Sequence, residues 1–235
     1  MNVLIACAYS GVERDEFAQR GHNAWSCDLL PCETPGNHYQ GDVLDILDGG
    51  WDLMIAHPDC TYLTNSAEWA YGDGPYHQKV KPETLVGAAR RAAREDALNF
   101  VRKLFATPIK RKCLENPRGM IGTRVRPASQ WIQPHEYGHD ASKITGLWLE
   151  NLPVLKPTKF IEPRWVCCGN ILDIDLVGKY GCPNYLGENR PKPRWGNQTD
   201  SGQNKLTPGP DRWKERARTY SGWAEAMAAQ WSALP

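Results

Sequence analysis

A cysteine two residues beyond a proline, just where an apolar run stops, is the first place in this 235-residue chain where chemistry could be done. The run is Asp52–Ala56, inside WDLMIAHPDCTYL, and it reads as a buried strand. His57-Pro58 ends it, because proline lacks an amide donor and restrains the residue before it. Cys60 therefore lies on a loop at the carboxyl end of a strand, where open α/β sheets bind ligands. A nucleophilic thiol needs such an exposed, held position and help to ionise. The alternative is a small buried hydrophobe. A second polar cluster stands at a second strand end. Lys112–Glu115 (KCLE) reads as a strand, and Asn116-Pro117-Arg118-Gly119 stops it. Glu115 follows the apolar Cys113 and Leu114, and a carboxyl in that setting tends toward the pKa of an acid catalyst. The alternative is a structural ion pair with Arg118 or Lys112.

Those two strand ends need a sheet and helices to hold them. Asn2–Ala8 reads as a strand, Tyr9-Ser10-Gly11 as a turn, and Val12–Arg20 as a helix closed by Gly21. His22–Cys27 is a further strand with Asp28 at its end. Gly41-Asp42-Val43 reads as the next strand end. Such a β-turn-α-β unit with an acid after its second strand resembles a nucleotide-binding half, without a full G-x-G-x-x-G. Thr64–Lys81 is irregular, and Trp69 and Tyr71 in it are candidates for stacking on a base. Pro82–Phe105 reads as a long helix with proline at its start. Gln130–Leu149 reads as a strand, a polar loop and a short helix carrying Leu147, Trp148 and Leu149. These readings predict an α/β core over residues 1–152, with a mostly parallel sheet flanked by helices. Pro153–Pro210, rich in Pro, Gly and Asn, reads as an irregular insert. Residues 211–235 hold a final helix, Thr219–Ala233, that packs back on the core.

Composition narrows the class. No apolar run reaches 18 residues, so no transmembrane helix is expected. Eight cysteines without a secretory signal point to reduced thiols in a cytosol. The net charge of +1 hides an asymmetry: Lys79–Lys112 carries ten Lys/Arg against three Asp/Glu, and Leu186–Arg218 eight against four. Two basic stretches on an acidic body suit a polyanion on one face. The alternative is basic side chains that simply face solvent. Cys167, Cys168 and Cys182, with His135 or His139, lack the ligand spacing of a zinc site, and no metal is expected. His57 reads as a residue that shapes its loop. Trp148, Trp223 and Trp231 read as core.

The motifs fall in a known order. IACAYSGVERDEFAQRGHNAWSCDLL, IAHPDCTYLTNS, CLENPRGM, QPHEYGHDASKITGLWLENLP, RWGNQTDSGQN and DRWKERARTYSGWAEAMAAQW together resemble the DNA (cytosine-5) methyltransferases, most closely short phage- and prophage-encoded members. The resemblance implies a Rossmann-like methyltransferase fold, S-adenosylmethionine as cofactor, and DNA as partner with the target cytosine flipped out of the stack. It would place the protein in a cytoplasm, that of the host if phage-encoded. Carried over by position, Tyr9, Ser10, Gly11, Asp28, Asp42 and Pro58 match the cofactor site. Cys60 matches the nucleophile, and Glu115 with Asn116 the base-binding pair. Ser142, Lys143 and Thr145 fall where further substrate contacts would lie. In this chain Asp59 stands where short relatives tend to have a second proline, Pro117 follows Glu-Asn, and the Gln-x-Arg-x-Arg motif of long enzymes is absent. Two rival readings are an enzyme acting on a free pyrimidine nucleotide and an inactive nucleic-acid-binding relative.

Overall fold

Three short apolar runs form the centre of the sheet because both of their faces are covered. They are β1 (Asn2–Ala6), β4 (Leu53–Ala56) and β5 (Arg111–Pro117). Runs of this kind, without polar alternation, mark parallel strands buried on both faces. The computed structural model describes residues 1–77, 79–167, 170–172, 191–209 and 212–233. Adding β2 (Asn23–Asp28), β3 (His38–Gln40), β6 (Gln130–Ile132) and β7 (Thr145–Glu150) gives a seven-stranded sheet ordered β3-β2-β1-β4-β5-β7-β6. The first five strands are parallel, and β7 runs antiparallel to both β5 and β6. This is the order of a Rossmann-like methyltransferase fold, a mostly parallel α/β sheet flanked by helices.

Helix α1 (Val12–Gln19) follows β1, α2 (Gly87–Ala106) follows β4, and α3 (Met120–Arg124) follows β5. Leu98, Val101 and Leu104 of α2 and Ile121 of α3 pack on Leu4, Met54, Leu114 and Trp148. Each such apolar side chain taken out of water contributes about 1.5–3 kcal/mol.

Two elements depart from the sequence reading. The helix expected from Pro82 begins only at Gly87. Glu83 has φ 68, which a residue inside a right-handed helix cannot adopt, and Gly87, the first residue of α2, has φ 58. Residues 145–150, expected to include a short helix, form β7. The Leu147-Trp148-Leu149 run fits strand or helix equally by periodicity, and six ladder pairs with β5 decide for strand. Trp148 is nevertheless fully buried, as expected.

The chain divides into two compact units. The first comprises residues 1–132, 145–155 and 227–235; the second comprises 133–144 and 156–226. In the second, β8 (Arg164–Cys167), β9 (Asn170–Leu172) and β10 (Lys192–Arg194) make an antiparallel sheet ordered β10-β8-β9. Arg164 pairs with Asp200 at 2.5 Å, and His135 stacks on Trp195 with ring centroids 4.1 Å apart. Helix α4 (Arg212–Ala217) belongs to this unit, and α5 (Ser221–Trp231) starts in it. Cys168 and Cys182, considered above as zinc ligands, lie outside the described residues. No helix among the described residues is long and apolar enough to cross a membrane.

Candidate active site

The order of the strands fixes where a ligand can sit. From β1 the chain steps outward to β2 and β3 on one side, and β4 and β5 lie on the other. The crevice at such a reversal, outside the carboxyl ends of β1 and β4, is where open α/β sheets bind ligands. Ala6 pairs with Ala56 and Ala56 with Leu114, so Cys7, His57 and Glu115 follow side by side along that edge. The His57 amide donates to the Ala6 carbonyl at 2.9 Å and keeps β1 and β4 in step one residue further.

Around β4 the loop bearing Cys60 is fastened at three points. Asn116 Nδ2 donates to the Pro58 carbonyl at 2.7 Å, in a buried bond from the end of β5. The Leu63 and Thr64 amides both donate to the Cys60 carbonyl at 3.1 Å and fold the loop into a tight turn. The Met120 amide then donates to the Leu63 carbonyl at 2.7 Å. Gly119 makes that last approach possible, since a Cβ there would stand 1.9 Å from the Leu63 oxygen and 2.7 Å from Thr64 Cα. Gly119→Ala should therefore push the Cys60 loop off β5 and lower stability by about 1–3 kcal/mol, the usual scale of overpacking. Thermal melting checks this, and a variant that melts like the wild type would show the loop to be only loosely anchored. Asp59, the carboxylate next to the thiol, turns back on its own loop: Oδ1 accepts from the Thr61 amide at 2.9 Å and the Thr61 hydroxyl at 2.7 Å.

The two basic residues considered as partners of Glu115 make contacts elsewhere. Lys112 pairs with Glu150 at 2.8 Å, and Arg118 lies over the Trp131 ring at 5.2 Å. Instead Glu115 Oε2 stands 3.2 Å from His57 Nδ1. The other imidazole nitrogen, Nε2, is 2.9 Å from Oε1 of Glu13, the second residue of α1. All three side chains are withdrawn from water: 1% of Glu13, 14% of His57 and 13% of Glu115 is exposed. Burial, the largest influence on the imidazole, would lower its pKa. The Glu13 and Glu115 carboxylates together override it and push the group up to about 10. The two glutamates thus favour the protonated form of His57. Sequence reasoning gave it a loop-shaping role and missed Glu13 altogether. The signal for Glu13 was present: an acid one residue past the start of α1, on a helix whose only large apolar side chain is Phe17.

On the β1 side, Gly11 precedes α1 with φ 75 and supplies no side-chain cap, and the Val12 amide donates to Ser10 Oγ at 3.5 Å. Gly11 is also crowded: a Cβ would meet Thr34 Oγ1 at 2.2 Å and Arg14 Nη2 at 2.8 Å. The buried Arg14 guanidinium donates to Ser26 Oγ, Cys32 Sγ, and both oxygens of Thr34, and so ties the loop after β2 to the Gly11 turn. Tyr9 takes part through its carbonyl, which accepts from the Glu33 amide at 2.8 Å, and Ser10 is buried. Asp28, at the end of β2, accepts from the Leu30 amide at 2.9 Å, and burial raises its carboxyl above the ordinary range. Asp42, read as a strand end, follows β3 and caps a single 3₁₀ turn, Val43–Asp45, by accepting from the Leu44 amide at 3.0 Å. Both carboxylates act on the Cys7 thiol, so the ends of β1, β2 and β3 converge.

The other residues singled out in the sequence are placed as follows. Thr145 begins β7 fully buried, opposite Pro117. Ser142 and Lys143 belong to the second unit. The Ser142 amide donates to Asn197 Oδ1 at 2.9 Å and its carbonyl accepts from Asn197 Nδ2 at 2.9 Å. Lys143 Nζ donates to the Arg216 carbonyl at 3.0 Å. Tyr71 is buried under Arg94, whose guanidinium lies 3.3 Å from the ring centroid, so its face is taken. The first basic stretch is likewise partly turned inward. Arg90, Arg94 and Lys112 are buried, with Lys112 Nζ donating to the Phe105 and Thr107 carbonyls as well as pairing with Glu150.

The sheet order is that of a Rossmann-like methyltransferase fold. No protein-family model matches the chain, and no curated protein sequence is similar to it. Among solved structures it is similar to the crystal structure of a triple mutant of Spodoptera frugiperda DNMT2, at 14% identity and a TM-score of 0.36. That likeness covers 74% of this chain and 60% of the other, so the chain spans about 60% of the length of the structure it matches.

Proposed function

We propose that the protein transfers a methyl group from S-adenosylmethionine to carbon 5 of cytosine in DNA, through a covalent adduct on Cys60. The observation that carries this reading is the joint anchoring of three groups at one sheet edge. Asn116 locks the loop of Cys60 through Pro58, while its neighbour Glu115 lies beside His57 at the end of β4.

The cofactor fits the residues present. Its ribose hydroxyls would be donors to Asp28, whose partly desolvated carboxylate gains from such bonds. Its carboxylate would meet the amides at the start of α1. When bound, it supplies an electrophilic sulfonium methyl. The rest is the work of the chain. Cytosine carbon 5 is a poor nucleophile, and addition of the Cys60 thiolate at carbon 6 converts the ring to an enamine that can attack through carbon 5. A proton or strong hydrogen bond from Glu115 at ring nitrogen 3 draws off the charge that this addition creates. Loss of the carbon-5 proton then expels the thiolate. Asn116 Oδ1, buried and without a hydrogen-bond partner among the described residues, remains an acceptor for the base. The chemistry favours carbon 5 over an exocyclic amine because a thiol, not an aromatic side chain, follows the His-Pro turn.

The inward-facing Arg90, Arg94 and Lys112 favour a second reading, the same chemistry on a free pyrimidine nucleotide. Incubation with S-adenosylmethionine and either DNA or deoxycytidine nucleotides, followed by mass spectrometry of the nucleosides, separates the two. The proposal expects 5-methylcytosine from DNA, with binding that weakens steeply as salt rises. A product methylated on the exocyclic nitrogen would overturn the carbon-5 assignment. Methylation of nucleotide alone, with little salt dependence, would establish the second reading.

A further inference from the structure

We propose that His57 is the proton carrier for Glu115: held by Glu13 at Nε2 and by Glu115 at Nδ1, it supplies the proton that Glu115 presents to ring nitrogen 3 and takes it back when the cycle closes. The inference rests on the function proposed above and deepens it. Its ground is geometric. The three side chains stand in sequence from the first turn of α1 to the end of β5: Glu13 Oε1 in ion contact with His57 Nε2 at 2.9 Å, and His57 Nδ1 hydrogen-bonded to Glu115 Oε2 at 3.2 Å. A carboxylate already facing an imidazolium has no proton of its own to offer a base. The imidazolium beside it has one. The step balances without any outside reactant. As the Cys60 thiolate adds to carbon 6, the Nδ1 proton passes to Glu115, and a Glu115 proton passes to nitrogen 3. His57 keeps its Nε2 proton, and Glu13 stays a carboxylate facing it. When the thiolate leaves, the nitrogen-3 proton returns through Glu115 to Nδ1. His57 never touches the base in this scheme and is a positioning residue.

The charged groups that face the imidazole come from three elements. They are Glu13 on α1, Glu115 on β5, and Asp28 at the end of β2, whose carboxyl feels the imidazolium. Cys113, also on β5, lies close enough for both glutamates to act on it, but burial chiefly holds its thiol protonated, so it adds no charge. Every charge facing His57 is therefore negative. The same line of groups joins the turn that carries Gly11 to the pair that faces the base, so the two halves of the crevice share one proton-bearing device.

The test uses the full chain in two arms. In the first, ¹⁵N-labelled histidine is followed by NMR across pH in the protein without ligands. His57 should remain protonated on both nitrogens through pH 8 in the wild type and lose a proton at lower pH in Glu13→Gln. A neutral His57 at pH 7 overturns the proposal. In the second arm, turnover is measured from pH 5 to 9 for the wild type, His57→Gln and Glu13→Gln. Without the carrier, Glu115 can give a proton only while protonated itself, so His57→Gln should approach wild-type turnover near pH 5 and fall roughly tenfold per pH unit above its break. Glu13→Gln, which keeps the shape of the side chain and removes its charge, should move the break in the same direction by less. Variant profiles parallel to the wild type and lower at every pH would mean that His57 only supports the fold, and would overturn the carrier role. Wild-type protein that makes no 5-methylcytosine sinks the proposed function and this proposal together. That failure shows in the wild-type sample alone, whereas failure of the carrier role shows only in the shape of the variant profiles. If His57→Gln does not fold, Glu13→Gln carries both arms.

Discussion

Cys60→Ala should leave the fold intact and abolish methyl transfer to DNA, a loss on the order of 10⁴-fold or more, because it removes the covalent route rather than weakening it. DNA containing 5-fluorocytosine should form a stable adduct with the wild type, since fluorine cannot leave as a proton does, and none with the variant. The surroundings make Cys60 the thiol for this role. Burial keeps the Cys7 thiol well above the ordinary range, with Asp28 adding to the effect. Cys27, on β2, is pushed up to about 12 for the same reason, and burial raises the Cys113 thiol well above its ordinary value. Cys32 accepts from the Arg14 guanidinium at 3.1 Å, inside the loop that Arg14 ties down. Unlike Cys7, Cys27, Cys32 and Cys113, Cys60 stands on a loop beyond β4, half-buried, with its turn fastened by Asn116 and Gly119. The half-buried position also predicts little change in melting temperature, so lost turnover would not reflect lost protein. An adduct that persists in Cys60→Ala, or moves to Cys7, would remove the nucleophile assignment.

The strand ends that carry this chemistry were legible in the sequence because local signals mark them. Asp52–Ala56 is apolar without alternation and stops at His57-Pro58, and the structure ends β4 at Ala56. KCLE was legible as a strand in the same way, although β5 runs two residues further, through Asn116 and Pro117, than the expected stop after Glu115. Where a local signal could mean two things, the reading failed. Leu147-Trp148-Leu149 is as apolar as a short buried helix, and only pairing with β5, more than 30 residues away in the chain, makes it a strand. Pro82 is a proper first-turn residue for a helix, yet Glu83 and Gly87 adopt left-handed conformations that delay α2. The Glu13–His57–Glu115 line is the strongest case of a feature no local pattern contains. His57 and Glu115 are 58 residues apart, and they meet only because β4 and β5 pair in the register that sets Ala56 against Leu114. A lone histidine before a proline carries no trace of that. The same blindness affected charge: the Lys79–Lys112 stretch looks like a basic face, but Arg94 is spent on the Tyr71 ring and Glu68, and Lys112 on Glu150.

Glu115→Gln is the second substitution of large expected effect, and its two consequences should separate by pH. An amide keeps the shape of the side chain, and its oxygen can still accept from His57 Nδ1, but it can neither carry nor relay a proton to nitrogen 3. Methyl transfer should fall by at least ~10²-fold, the usual scale for losing a general acid, with cofactor affinity scarcely altered because Asp28 and the Gly11 turn are untouched. The stability effect follows from His57. Its pKa is about 10 in the folded protein and about 6.5 for an unperturbed imidazole. A group raised on folding stabilises fully below its unfolded value, and that stabilisation is lost as pH rises through the folded value. His57 therefore stabilises the wild type most at pH 6 and below, and its contribution fades between roughly pH 6.5 and 10. With Glu115 replaced, Glu13 is the glutamate left beside the imidazole, the folded value drops, and the fading, which begins at the same unfolded value, is complete at lower pH. Urea unfolding at pH 6 and pH 9 should thus show the variant losing less stability across that interval than the wild type does. A purely structural Glu115 would behave otherwise. The variant would melt earlier at every pH, and turnover would fall only in proportion to the unfolded fraction. A stable Glu115→Gln protein with near-normal turnover would remove the proton from the mechanism altogether, and would leave Asn116 and the Cys60 loop to bind a base that is activated some other way.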